Sequence, residues 1–247
     1  MSRRFAVLLA TLLLAAVPFL PLPRVLTPSA LAQDRPVDVH LVLAVDSSSS
    51  VTMDEYYLQL EGYAKAFAHP ELWAAIRDGA HGAVAVALFE WAGAGQQVVN
   101  FEWRVLDSEA ALQRFAGELA LAPRLVIGGE TALGEALLYA LALLETAPGV
   151  AARRVIDISG DGESNRGIAV APARAEVLSR GVVINGLPVV NEVPGLAAYY
   201  ADQVIGGHGS FVLSARDYDD FRDVILRKLV RELRLVAAAP HAPLTAD

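Results

Sequence analysis

The run Asp46-Ser47-Ser48-Ser49-Ser50 puts one carboxylate and a cluster of hydroxyls into five consecutive positions. The oxygens of Asp46, Ser48 and Ser50, spaced D-x-S-x-S, are hard donors and suit a divalent cation such as Mg²⁺. A serine-rich stretch also has an ordinary reading, as a loop or a helix cap. The segment in front of it adds weight to the first reading. Val37 to Val45 is apolar and β-branched, with the pattern of a central strand in a parallel sheet. In open α/β sheets, ligands bind in the crevice beyond the carboxyl ends of the strands, where this run emerges.

The remaining elements alternate. Thr52 to Ala68 reads as a helix capped by Thr52 or Ser50, with Tyr56, Leu60, Tyr63 and Phe67 at core spacing. Gly82 to Phe89 is a second apolar strand, and Gln96 to Leu106 a more polar one. The short loop Ala92-Gly93-Ala94-Gly95 between them predicts an antiparallel hairpin. Ser108 caps a helix to about Leu121, and Glu130 to Thr146 forms another, closed by Pro148-Gly149. Arg154 to Ser159 is a strand running into Gly160-Asp161-Gly162. A helix from Pro172 to Arg180 leads to the strand Val182–Asn185. Leu196 to Ile205 is helical, Gly209 to Leu213 is a last strand, and Tyr218 to Val236 is the final helix. This alternation predicts an α/β doubly wound, mostly parallel six-stranded sheet with helices on both faces and Gln96–Leu106 antiparallel at one edge.

Residues 1–32 have the form of an export signal. Arg3 and Arg4 precede an apolar stretch from Phe5 to Val17, and Ala30-Leu31-Ala32 matches a signal-peptidase site. The domain then spans 33–236, and the alanine- and proline-containing stretch 237–247 is expected to be a disordered tail. There is no cysteine, hence no disulfide framework. The expected location is periplasmic or secreted, with no membrane span once the signal is removed. The formal charge of the chain is −8, and residues 1–32 carry three arginines and no acid, so the exported part carries −11. Such a balance argues against nucleic acid or anionic lipid as partner.

These motifs resemble those of von Willebrand factor A domains, whose metal-ion-dependent adhesion site contains the D-x-S-x-S segment. In that resemblance Gly128-Gly129-Glu130-Thr131-Ala132-Leu133-Gly134 is the loop that supplies a threonine ligand, here Thr131. The strand ending Ile158-Ser159-Gly160-Asp161-Gly162 supplies the second acid, Asp161. The segments Phe89-Glu90-Trp91, Arg153 to Gly162 and Val183 to Pro188 resemble a bacterial exported branch without an assigned function. The resemblance implies a metal site of Asp46, Ser48, Ser50, Thr131 and Asp161, with serines bound directly and the other ligands directly or through water. It also implies a Mg²⁺ (Mn²⁺ or Ca²⁺ in its place) whose open position takes an Asp or Glu carboxylate from a protein or peptide partner.

Other chemistry has weaker support. Asp157-x-Ser159-x-Asp161-Gly162 superficially starts like an EF-hand loop, but the twelfth position is Ile168 instead of glutamate. No G-x-S-x-G elbow or phosphate-binding G-x-x-x-x-G-K-[ST] loop occurs, and the five histidines have no zinc-ligand spacing. The expected function is therefore binding without catalysis. The alternative is a metal-assisted hydrolase using the same site. Trp91, closing the strand before the hairpin, is expected on the cation side as a partner contact. Packing beneath its own hairpin carries equal weight.

Overall fold

The computed structural model describes residues 35–237. The expected signal segment and all but the first residue of the expected tail lie outside them. β1 (Val37–Asp46) is buried along its whole length and lies between β2 (Val84–Trp91) and β4 (Ala151–Gly160), parallel to both. β5 (Val183–Pro188) extends the sheet parallel to β4. β3 (Gln97–Leu106) is antiparallel at the far edge, giving the order β3-β2-β1-β4-β5.

Alternation along β1 divides the core. Val39, Leu41, Leu43 and Val45 face a layer of α1 (Met53–Ala68), α2 (Pro70–Arg77), α3 (Glu109–Leu119) and α7 (Tyr218–Ala237). Val42 and Ala44 face α4 (Leu133–Leu144), α5 (Val170–Ser179) and α6 (Leu196–Tyr199). A strand buried on both faces needs this unbroken apolar run, since each large aliphatic side chain contributes about 1.5–3 kcal/mol on burial. Tyr56, Leu60, Tyr63 and Phe67 are core residues. α1 starts with a capping box, in which Thr52 accepts from Glu55 N–H and the Glu55 side chain accepts from Thr52 N–H.

Besides small shifts of element ends, the structure departs from the sequence reading in three places. The sheet has five strands among the described residues. The chain around Phe211 touches β5 only through isolated bridges, because Gly207 and Gly209 turn the backbone into positive φ and the Asn185 side chain captures Phe211 N–H. α2 was not expected. Pro70 sits in its first turn, where a missing N–H costs nothing, and His69 caps it. α4 begins at Leu133, three residues late, because 128–132 stay non-helical beside the D-x-S-x-S loop. Among the described residues no helix is long and apolar enough to cross a membrane.

α7 is bolted to the sheet by buried charge. Lys228 is fully enclosed, touches Asp157 of β4, and donates to Glu232 at 2.9 Å, while Asn185 of β5 donates to the same carboxylate at 2.9 Å. Burial pushes the Asp157 carboxyl up to about 7 against the pull of the Lys228 ammonium. Removing one partner strands the others, so Lys228→Met should cost about 3–5 kcal/mol in urea unfolding. Adding Asp157→Asn should recover part of that loss. Equal midpoints for Lys228→Met and the unaltered protein would show the network to be energetically idle.

Candidate metal centre

All parallel strands end on one side of the sheet, and the five expected ligands gather there. Asp46, the last residue of β1, is fully buried and accepts from Ser48 N–H at 2.8 Å through Oδ1. The hydroxyls of Ser48 and Ser50 are 3.1 Å apart, and Ser50 donates to Asp161 Oδ1 at 2.7 Å. Tyr218, at the start of α7, donates to Asp161 Oδ2 at 3.0 Å. Thr131 lines a cavity of about 380 Å³ together with Ser49, Ser50, Gly129, Glu130 and Asn165. Its backbone is pinned by Asn165, whose Oδ1 accepts from Thr131 N–H and whose N–H donates to Thr131 O, each at 2.9 Å. The Thr131 side chain does not cap α4, whose N-cap is Ala132.

The loops are locked by groups that the sequence did not single out. Arg124 reaches in from the segment between α3 and α4. It donates to Ser47 O at 2.7 Å, Ser47 Oγ at 2.8 Å, Ser48 O at 3.1 Å and Val51 O at 2.9 Å. Ser49 N–H donates to Gly129 O, and Gly129 N–H to Ser49 Oγ, each at 2.9 Å. Gln59 of α1 donates to Asp46 O at 3.2 Å. An isolated Arg or Gln carries no spacing signature, so only the tertiary structure identifies these partners.

Electrostatically the centre is incomplete. Asp46 Oδ2 is buried without a hydrogen-bond partner, and so is the Tyr200 hydroxyl. A Cβ at Gly160 would lie 2.7 Å from Asp46 Oδ2 and 2.8 Å from Tyr200 OH, so only glycine fits between them. Burial, then repulsion from Asp161, pushes the Asp46 carboxyl up to about 7. Burial likewise raises the Tyr200 and Tyr218 phenols, leaving both as hydrogen-bond donors. Among the described residues no three His, Asp or Glu side chains form a metal-binding cluster. The donor set here is two carboxylates with three hydroxyls, which fits a hard, hydrated cation. Glu130 and Glu163 are exposed, and Glu130 pairs with Arg166 at 3.6 Å.

Trp91 requires a correction. It is fully buried in the core beneath α4, with Cζ2 against the Gly160 position, and offers no surface to a partner. Residues 129–132 close over the end of β2, with Ala132 N–H donating to Ala92 O at 2.9 Å. That lid turns the strand's last side chain into core.

With this geometry in hand, the likenesses to known proteins fall into place. The fold is that of von Willebrand A-type domains. The proximal thread matrix protein 1 of the mussel byssus, in a form with a zinc-occupied MIDAS motif, matches with a TM-score of 0.56 and 16% identity, over 81% of this chain and 46% of that one. A von Willebrand factor type A protein from Catenulispora acidiphila matches at 0.55 and 18% identity, over 80% and 43%. The pilus adhesin SpaC from Lactobacillus rhamnosus GG, in its open conformation, matches at 0.57 and 13%, over 80% and 30%. This chain spans less than half the length of each. Residues 36–237 match the family described as "Protein of unknown function (DUF1194)", and the chain belongs to that family. No curated protein matches it.

The raised Asp46 carboxyl has a definite pH consequence in chelator. Its folded form holds a proton between 3.8 and about 7 where the unfolded chain does not, so stability from this group is present at low pH and lost as pH rises through about 7. Denaturant titrations should show the protein losing about 2–3 kcal/mol between pH 5 and 8 relative to Asp46→Asn. Parallel pH profiles for the two proteins would refute a buried, unpaired carboxylate.

Proposed function

We propose that this chain is an exported binding module in which Asp46, Ser48, Ser50, Thr131 and Asp161 hold a divalent cation, Mg²⁺ first and Mn²⁺ or Ca²⁺ as substitutes. A protein or peptide partner supplies an Asp or Glu carboxylate that completes the site, in the periplasm or outside the cell. The observation that carries this reading is Asp46 Oδ2, a buried carboxylate oxygen with no hydrogen-bond partner, on the residue whose other oxygen is held by the D-x-S-x-S loop. Two similar structures lend support: the mussel protein has a zinc-occupied MIDAS motif, and SpaC is a pilus adhesin.

The charge count favours docking. The bound cation would supply positive charge and exchangeable water positions. Two carboxylates neutralise a divalent charge without exceeding it, so a third carboxylate from outside still meets a favourable field. Ser48 and Ser50 orient hydroxyl oxygens through their loop geometry, and Tyr218 and Ser50 hold both oxygens of Asp161 in place. The hydrolase alternative needs a base beside the cation. The phenols that border the carboxylates, Tyr200 and Tyr218, are pushed toward the protonated form and cannot take that role.

Metal that binds the native state alone stabilises it by mass action. At roughly a hundredfold its Kd, Mg²⁺ or Mn²⁺ should add about 2.7 kcal/mol, a rise in unfolding midpoint of about 5–10 °C. Asp46→Ala and Asp161→Ala should abolish that rise. A midpoint indifferent to both metals would end this reading. Metal-dependent ester or phosphate hydrolysis lost in Asp161→Ala would replace it with the enzyme.

A further inference from the structure

Among the described residues, the large apolar side chains that are exposed are unevenly distributed. β1, β2, β4 and β5 run parallel, so their carboxyl ends share one end of the sheet with the start of β3, the starts of α1 and α4, and the end of α3. Met53, Tyr57, Val98, Ile168 and the trio Leu121, Leu125 and Ile127 all belong to this end, whereas exposed Val150 lies before β4 at the opposite one. A soluble surface has no need to gather its aliphatic exposure around one site.

The trio forms the sharpest part of this collar. Leu121 is 86% exposed, Leu125 45% and Ile127 74%, while Val126 between the last two is buried at 5%. Residues 123–127 are therefore extended, with alternate side chains turned in and out. Two residues further on, Gly129 forms the wall of the cavity that holds Ser50 and Thr131.

The segment is held from within by costly groups. Fully buried Glu90 accepts from Leu125 N–H at 2.9 Å and Val126 N–H at 2.7 Å, and also from Tyr56 OH at 2.6 Å. Val126 O accepts from Ser47 Oγ at 2.7 Å and from Arg124 Nε at 2.9 Å. A buried carboxylate and the same arginine that clamps the D-x-S-x-S loop thus fix Leu125 and Ile127 in their outward position. An apolar ridge fixed before binding loses little entropy when a partner covers it.

We infer that Leu125 and Ile127, with Leu121 exposed at the same end of the sheet, form the second half of the partner site and read a large apolar side chain adjacent to the partner's carboxylate. This deepens the cation-docking reading and rests on it. The occupant is a protein segment in which Asp or Glu neighbours Leu, Ile, Val, Met or Phe. The acidic side chains of this end, Asp54, Glu55, Glu130 and Glu163, disfavour an anionic membrane in that place.

The test uses a displayed peptide library with a fixed central aspartate and randomised neighbours, panned on the full chain in Mg²⁺ and eluted with chelator. Eluted peptides should be enriched in large apolar residues beside the aspartate. The double variant Leu125→Ser/Ile127→Ser should keep its unfolding midpoint and its response to Mg²⁺, yet capture those peptides roughly tenfold more weakly or worse. Chelator-eluted peptides without apolar neighbours, or undiminished capture by the double variant, would overturn the inference and leave the docking reading standing. Failure to elute any peptide from either protein would remove the docking reading, and this inference with it. Two further results assign the ridge elsewhere and also overturn it. One is a sedimenting dimer that the double variant dissociates. The other is metal-independent binding to phosphatidylcholine vesicles that the double variant loses.

Discussion

A carboxylate enclosed at the end of the central strand sets the terms for everything around it. Asp46 leaves β1 where both faces of the sheet are covered, and one of its oxygens lies beside the Gly160 position without a hydrogen-bond partner. An isolated charge in such a place is expensive, and the carboxyl responds by rising to about 7. The surrounding structure does not relieve the difficulty by supplying a cation of its own. Arg124 is close, but its donors are spent on the carbonyls and hydroxyl of the neighbouring loop. That arrangement keeps the loop rigid and leaves the carboxylate unanswered, which suits a group waiting for an external positive charge.

Four of the buried carboxylates are held in different ways. Asp157 and Glu232 have Lys228 and Asn185 and tie a helix to the sheet. Glu90 is met by two backbone N–H groups and a phenol and braces an extended segment. Asp46 has a single N–H and one orphan oxygen. Unpartnered oxygens occur on Asp157 and Glu232 as well, but there the Lys228 ammonium supplies the countercharge, whereas among the described residues no cation pairs with Asp46.

Much of this was legible from the chain. Strand β1, the hairpin with antiparallel β3, and the long helices follow from apolar periodicity and from caps such as Thr52 and Ser108. Asp46, Ser48 and Ser50 stood out by spacing, while Thr131 and Asp161 came from resemblance because one residue in a loop has no periodic signal. The failures have physical causes. Whether Trp91 faced a partner or the core depended on a lid from forty residues downstream, which strand alternation cannot reveal. The strand expected at Gly209–Leu213 was undone by positive-φ glycines and by a side chain that took a ladder donor. Arg124 and Glu90 were invisible because their function lies in what they touch. The apolar collar was missed for the opposite reason. Leu121, Leu125 and Ile127 look like core residues until the structure shows them facing out.

On the proposed cation-docking reading, charge and apolar contact would divide the work of recognition by distance. The chain is acidic, with a formal charge of −8, so a partner offering a carboxylate is repelled until it is close. At physiological salt that repulsion is screened beyond about 8 Å, and so is the attraction of a single bound cation. Long-range steering therefore has little to offer this site in either direction. Selection has to occur at contact, where a cation distinguishes a carboxylate from a neutral group but cannot distinguish one acidic segment from another. Discrimination among acidic segments must come from neutral surface fixed beside the cation. On that reading, the segment braced by Glu90 and Arg124 is where such a surface would lie.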